Sequence, residues 1–582
     1  MPLTSRSAWA GLSGLVCVAC AAPPKASVGR PLPIASSASP ALARPPAPTP
    51  APIVLSLLGL NDLHGRLRAL PAFAGYANNL RRARAKDGGA VALVDAGDMF
   101  QGTLESNLTE GASVIAAYRV LGMTVATLGN HEFDFGPLAS GNRNDPQGAI
   151  RARIREASFP ILSANLVTRG SHTSPAWDKL RRSVLVNVGG VRVGFVGLLT
   201  HETPTIVMHA WFVGLDVEPL APALEQEARS LRSQGAEVVI GVAHAGADCK
   251  DFSEPSNLSS CKPDAEIFDL ARALPVGSVD AIFAGHTHAG VAQLVNGIPI
   301  VEAYARGLAF SRIDLRLEGA THRVLERKIF PPHELCPKLT EGGPCTLADY
   351  EGEPTSLDLD VAQAIEPALA QAESFREAPI GCTVSEAMSC DHGIESALGN
   401  LFADLLRESV PSADVAILNG GSLRADLPAG QLSYGQLFEA MPFDNLVARI
   451  RMSGAELKTV ILTHLQHDSH GLISLSGMRV EARCGKSGLE LKLTRENGKP
   501  VSDRETLLLV TSDYLATGGD GLFLPLSLSP KRIDIDTSGT FRDALARSLK
   551  RHPQLSPRDK AIFDPGRPRL ELSSPRPLVC AH

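Results

Sequence analysis

The chain has no excess of basic residues. Its 56 Lys and Arg stand against 62 Asp and Glu, a formal net charge of −6. That balance argues against a broad basic groove for nucleic-acid polymers. No run reaches the roughly 18 continuous apolar residues of a membrane span. None of the eight cysteines beyond Cys20 stands in a C-x-x-C spacing, which argues against a thiolate zinc site among them. No internal repeat is visible, so a solenoid is not expected. What is present is ordinary for a globular protein, 44% hydrophobic and 20% charged. A length of 582 residues exceeds one core, so at least two domains are expected.

The N-terminus is the one segment with a targeting pattern. Arg6 precedes a short apolar core that ends in small residues near Cys20. Residues 1–20 therefore read as a secretory signal peptide, and the protein as exported, periplasmic or at the cell surface. Ala19-Cys20 also fits a lipoprotein cleavage site, where a lipidated Cys20 would tether the protein to a membrane, although Cys17 stands where Leu is usual. Residues 21–52 are rich in Ala, Pro and Ser, cannot bury a core, and read as an extended linker. A plain unstructured leader fits the same composition.

The remaining eight cysteines support export. In chain order they fall as Cys249/Cys261, Cys336/Cys345, Cys382/Cys390 and Cys484/Cys580. The first three pairs would each close a small loop, as disulfides do in oxidising compartments. Spacing does not fix the connectivity, since eight cysteines allow about 105 pairings.

From Ile53 the chain alternates β-branched, apolar runs with amphipathic stretches. Strands are expected at 53–60, 91–94, 125–128, 193–199, 238–242 and 279–284, with helices between them at 73–85 and 113–121. Runs at 298–301 and 313–317 read as sheet edges. This alternation means a layered α/β domain, over 53–350. Residues 351–379 read as a linker helix, and 380–570 as a second α/β domain with strands at 415–418 and 507–511 and helices at 395–408 and 453–464. Residues 571–582 form a polar tail that Cys580 could pin.

Five short segments carry the chemistry. They are Asn61-Asp62-Leu63-His64-Gly65, Gly97-Asp98, Gly129-Asn130-His131-Glu132-Phe133-Asp134, His244, and Gly285-His286-Thr287-His288. Most come directly after an expected strand, where α/β folds build their sites. Oxygen and nitrogen donors suit the divalent metals used for phosphate hydrolysis. Two such ions about 3.5–4 Å apart need a carboxylate that bridges them, and Asp98 is placed to do so. Asn130 offers a neutral amide oxygen. With only two carboxylates, Asp62 and Asp98, facing two ions, the site keeps positive charge for a phosphate dianion. The spacing of three puts His131 and Asp134 on one face of a turn, where a carboxylate can steady an imidazolium.

These motifs, in this order, resemble the calcineurin-like metallophosphoesterase superfamily. Together with the second domain they resemble its 5′-nucleotidase family, which includes bacterial UDP-sugar hydrolases. The resemblance implies an N-terminal β-sandwich flanked by helices, layered α/β/β/α, and a C-terminal α/β substrate-binding domain. It implies Asp62, His64, Asp98 and His288 around one metal, and Asp98, Asn130, His244 and His286 around the other. The ions would be Zn, Mn or similar; some members carry Gln in place of His288. It gives His131 and Asp134 a catalytic role, and makes metal-bound hydroxide the nucleophile.

In the second domain the resemblance places Phe443 and Tyr514 on either face of a nucleotide base. It assigns Asn419, Arg424, Asn445 and Asp520 to nucleotide, phosphate and ribose. Two glycines beside Asn419 allow close approach of backbone to a ligand, and an Arg suits paired phosphate oxygens. Two departures stand out. Tyr514 replaces the usual Phe, and Ile394 stands where members carry an Arg, so one phosphate-binding cation is expected to be missing. The resemblance also implies closure of the two domains about residues 357–380. The activity implied is release of phosphate from nucleoside 5′-monophosphates. The alternatives are cyclic nucleotides, UDP-sugars, a thiosulfohydrolase-like reaction, or nucleotide binding without turnover.

Overall fold

The computed structural model describes residues 50–142, 144–336, 346–467, 471–485 and 488–580. The signal-peptide reading and Cys20 lie outside the described residues, as does Cys345.

Two sheets stack in the N-terminal half. The first has seven strands, in the order Val324–Glu334, Ala309–Leu317, Ile53–Leu60, Ala90–Asp95, Val125–Thr127, Ile161–Leu162 and Leu180–Arg181. The second has six, in the order Gly290–Val295, Ile298–Ala303, Ala281–Phe283, Val238–His244, Val191–Leu199 and Ser183–Val188. Between them lies a dry layer that includes Leu55, Leu57, Val94, Phe195, Ile240, Phe283 and Ile313. The helices Leu70–Asp87 and Ala112–Leu121 cover the outer face of the first sheet. Leu220–Ser233 and Glu266–Ala273 cover the outer face of the second. The expected α/β/β/α layering is the one observed. Strands buried on both faces explain why their sequences read as near-continuous apolar runs.

Two strands read as edges are not edges. Ala309–Leu317 lies between Ile53–Leu60 and Val324–Glu334, and Ile298–Ala303 lies between Ala281–Phe283 and Gly290–Val295. Each is covered by a hairpin partner. Val324–Glu334 is largely exposed, so no apolar alternation marks it in the sequence.

The C-terminal half is built on a five-stranded sheet in the order Ser474–Ser476, Val415–Leu418, Thr506–Ser512, Leu446–Ser453 and Ile533–Thr540. Ala397–Ser409 and Phe541–Leu549 pack on one face, and Gly454–Leu465 on the other. The last helix starts at a capping box in which Ser453 and Glu456 exchange hydrogen bonds, satisfying two otherwise unpaired amides. The helix Leu359–Arg376 is no free linker. Its Val361, Ile365 and Ala368 sit in the core of the N-terminal half.

Cys249–Cys261 and Cys484–Cys580 are disulfides, and the second fixes the C-terminal tail. Cys382 and Cys390 are both free thiols, so that expected small loop is not closed. The chain between them stays extended alongside residues 427–431, with Thr383 against Gln431 and Met388 against Leu427. An extended segment of eight residues spans far more than the about 4.4–6.8 Å between the Cα atoms of a disulfide.

Candidate metal centre

The metal-ligand candidates meet above the C-terminal ends of the two sheets. Asp62 and His64 leave the first strand of the chain, Asp98 follows Ala90–Asp95, and Asn130 follows Val125–Thr127. His244 ends its own strand, and His286 and His288 follow Ala281–Phe283. The turns are held by backbone bonds. Asp62 N–H donates to Gly97 O, and His64 N–H to Asp98 O, each at 2.9 Å. Asp62, His64, Asp98, His286 and His288 all hold positive φ, between 48° and 81°. Non-glycine residues adopt that region at a cost, and such strain concentrates at functional sites. Gly129 is required by close approach, because a Cβ there would lie 2.2 Å from Asp98 Oδ1.

The donors fall into two groups that share Asp98. Asp62, His64, Asp98 and His288 converge in one, and Asp98, His244 and His286 in the other. His64 Nε2 lies 2.9 Å from His288 Nε2, and His288 Nε2 lies 3.4 Å from Asp62 Oδ1. His244 Nε2 lies 3.2 Å from Asp98 Oδ2 and 3.0 Å from Asn130 Oδ1. The Nδ1 atoms of His64 and His244 each lie 2.8 Å from a main-chain oxygen, of Gln101 and Ala96 respectively. A carbonyl only accepts, so each Nδ1 carries the proton and each Nε2 is turned to the cluster. Outer partners of this kind orient metal-binding imidazoles.

The electrostatics match. Burial, reinforced by His288, pushes His64 well below its ordinary pKa, which keeps it neutral. Burial alone would raise Asp98, but His244, His131 and His64 outweigh it and hold the carboxylate well below its usual range. Burial opposes a charge on His244, yet Asp98 prevails and pushes it up to about 10. The two carboxylates thus draw positive charge to this spot. Neutral imidazoles, carboxylates and an amide oxygen, with no thiolate, form a donor set suited to divalent cations.

His131 Nδ1 lies 2.6 Å from Asp134 Oδ2, and its amide donates to Asp98 Oδ1 at 2.8 Å. Burial opposes a charge on the ring, but Asp134 and Asp98 raise its pKa overall.

One cavity of about 1120 Å³ carries Asp98, Asn130, His131, Asp134, His286 and His288 on one wall. Asn419, Arg424, Phe443, Asn445, Tyr514 and Asp520 lie on the other. Asp62, His64 and His244 are buried and are not in its lining. The ring of Phe443 lies 5.9 Å from that of His131. Tyr514 OH reaches Asp520 Oδ1 at 2.5 Å and Ile206 O at 3.2 Å, and Asn419 Nδ2 donates to Asp520 Oδ2 at 2.7 Å. The extra hydroxyl of Tyr514 therefore engages the carboxylate expected at the ribose. Ile394 is 64% exposed and does not line the cavity. His392, two residues earlier, does line it, with Nδ1 donating to Gly420 O at 2.8 Å.

Several residues escaped the sequence reading. Glu132 is buried and accepts the amides of Asp98 (2.9 Å), Met99 (2.7 Å), Phe100 (3.3 Å) and Gly129 (2.7 Å). It braces the two loops that carry Asp98 and Asn130. Glu302 accepts from Thr287 Oγ1 at 2.7 Å and from Ala247 N at 3.2 Å beneath the His286 turn. Glu202 lies 3.4 Å from His286 Nε2 on the cavity wall. Glu132 sat inside a quoted motif and gave a signal. Glu302 and Glu202 join the site through folding alone.

Residues 55–290 match the calcineurin-like phosphoesterase family, and residues 377–526 match the 5′-nucleotidase C-terminal domain. The chain is 26% identical over 515 residues to "Endonuclease YhcR" of Bacillus subtilis, a match that takes in 82% of this chain but spans only 38% of that relative. It is 25% identical over 546 residues to "Protein UshA" of Escherichia coli, covering 88% of this chain and 93% of the relative. The crystal structure of a 5′-nucleotidase precursor from Thermus thermophilus superposes with a TM-score of 0.69 at 22% identity, over 90% of this chain and 100% of the other. That likeness shows the fold.

Proposed function

This chain belongs to the 5′-nucleotidase family of the calcineurin-like phosphoesterases, and we propose that it releases phosphate from nucleoside 5′-monophosphates outside the cytoplasm. Its reaction class is metal-dependent hydrolysis of a phosphoester. The observation that carries the substrate reading is the shared cavity, which faces His286, His288 and Asp98 on one side and Phe443, Tyr514 and Asp520 on the other.

Asp62, His64, Asp98 and His288 would hold one divalent cation, and Asp98, Asn130, His244 and His286 a second. Bound there, such ions would activate water and neutralise charge on a phosphoryl group. The protein's own groups do the rest. Arg424 offers paired N–H donors to phosphoryl oxygens. Phe443 and Tyr514 present aromatic faces on which any base can stack. His131 keeps its Nδ1 proton on Asp134, which turns Nε2–H toward the reacting phosphate and its leaving oxygen. The contact of Phe443 with the His131 ring sets the base-binding wall directly against this group.

A nucleotide sugar is the second reading. The cavity also includes Phe135, Leu138 and Trp211, and its volume exceeds the about 300–1,000 Å³ of ordinary ligand sites. The protein loaded with Mn²⁺, Zn²⁺ or Mg²⁺ would be assayed for phosphate release from AMP, UDP-glucose and 2′,3′-cyclic nucleotides. AMP as the best substrate supports the proposal. A preference for cyclic diesters replaces it, and metal binding without turnover of any of them leaves a binding protein.

A further inference from the structure

Arg306 follows the strand Ile298–Ala303 and belongs to the N-terminal half. Its φ is +58°, so its main chain turns sharply beside the metal-ligand loop. Its amide donates to Asp62 O at 2.7 Å. Its side chain crosses to the C-terminal half, where Nη2 donates to the main-chain oxygen of Arg424 at 2.6 Å. One residue therefore joins the loop that carries Asp62 to the turn that carries Arg424. Arg306 is absent from the cavity lining, whereas Arg424 is part of it. Its guanidinium meets the main chain of Arg424, and it is the Arg424 side chain that lines the cavity.

The placement is electrostatically costly. Burial, then the neighbouring charges of Arg424 and Arg66, lower the Arg306 pKa to about 10. A guanidinium held beside two others needs a compensating use. Holding a main-chain oxygen fixes the backbone from which Arg424 enters the cavity that His131 and His288 also line.

We propose that Arg306 is a positioning residue for Arg424: by gripping its main-chain oxygen from the opposite half of the molecule, it sets where the phosphate-binding guanidinium stands over the metal-ligand cluster. The inference rests on the reading of Arg424 as the phosphate-binding residue.

The test is the affinity of the metal-loaded full chain for inorganic phosphate, measured by calorimetry, with metal content determined in every variant. Arg306→Ala retains the amide bond to Asp62, so its metal content stays at the wild-type level. Losing a partly buried charged hydrogen bond, it weakens phosphate binding about tenfold, and Arg306→Lys restores part of the loss. In an Arg424→Ala background, Arg306→Ala costs nothing further, because it acts only through Arg424. Arg66→Ala, which removes a neighbouring charge and a partly exposed pair with Glu439, leaves affinity unchanged. Should Arg306→Ala fold poorly, Arg306→Lys and Arg306→Gln carry the same comparison.

Wild-type affinity in Arg306→Ala overturns the proposal. So do losses that multiply in the double variant, which would mean that charge alone acts, and so does undetectable phosphate binding by the loaded wild type. AMP turnover is measured alongside. Phosphate binding with the expected non-additivity but no AMP hydrolysis sinks the nucleotidase reading and leaves the role of Arg306 standing.

Discussion

His131 Nδ1 stands 2.6 Å from Asp134 Oδ2, three residues further along the same turn. The pair holds the Nδ1 proton, favours the doubly protonated ring, and leaves Nε2–H facing the cavity. Replacing His131 with Ala lowers kcat about 100-fold or more, the usual weight of a positioned proton donor. Metal content, read by elemental analysis, does not change. Asp134→Asn gives a smaller loss, since the ring remains but its orientation loosens. Wild-type turnover in His131→Ala would remove the residue from the reaction.

Asp98 belongs to both donor groups, whereas Asp62 belongs to one. Asp98→Asn therefore weakens both cations, and Asp62→Asn chiefly one. Metal titration of the apoprotein gives about two ions for the wild type and about one for Asp62→Asn. Chelation abolishes hydrolysis in the wild type, and added metal restores it. Equal losses in the two variants would contradict a shared carboxylate.

Glu132 never touches the cavity, yet four amides from the loops of Asp98 and Asn130 point at it. Glu132→Gln keeps the size but puts an N–H where an acceptor is needed. Metal affinity then falls about 10–100-fold, as for other outer partners of metal ligands. Saturating metal recovers most of kcat, which separates this role from that of His131.

Phe443→Ala removes one aromatic face. A base stacked there is worth about 1–3 kcal/mol, so KM for AMP rises about 5–160-fold. Hydrolysis of a small aryl phosphate without a base is affected much less. Equal effects on the two substrates would mean that Phe443 is only a wall.

Glu456 lies outside the cavity lining. Its bonds from Arg532 and from the Ser453 amide depress its pKa to about 2. A depressed carboxylate contributes stability above its unfolded pKa, near 4.5, and loses it as pH falls toward 2. The pair is about a third exposed, which limits its worth to about 1 kcal/mol. Glu456→Gln is thus less stable than wild type at pH 7. The gap closes between about pH 4.5 and pH 2, which urea unfolding at several pH values would reveal.

Much of the fold is legible because both sheets of the N-terminal half are covered on each face. Apolar runs such as residues 53–60 and 238–242 then have no polar alternation and announce strands within a few residues of their ends. Val324–Glu334 has no such signature, since one long side of it faces water. Without it the neighbouring Ala309–Leu317 reads as an edge. Small spacings misled in the same way at Cys382 and Cys390, where eight residues suggest a closed loop but extended pairing holds the thiols apart.

The sequence by itself determined the donor types, the strand-end positions that present them, and the aromatic and glycine elements of the second half, because each is encoded within a few consecutive residues. Only tertiary structure decided that Glu132, Glu302 and Glu202 stand behind or beside the donors, and that His392 lines the cavity while Ile394 is exposed. It alone set Arg306 against Arg424, 118 positions apart. Contacts of that kind depend on how separately folded layers pack, and no local periodicity or spacing carries them.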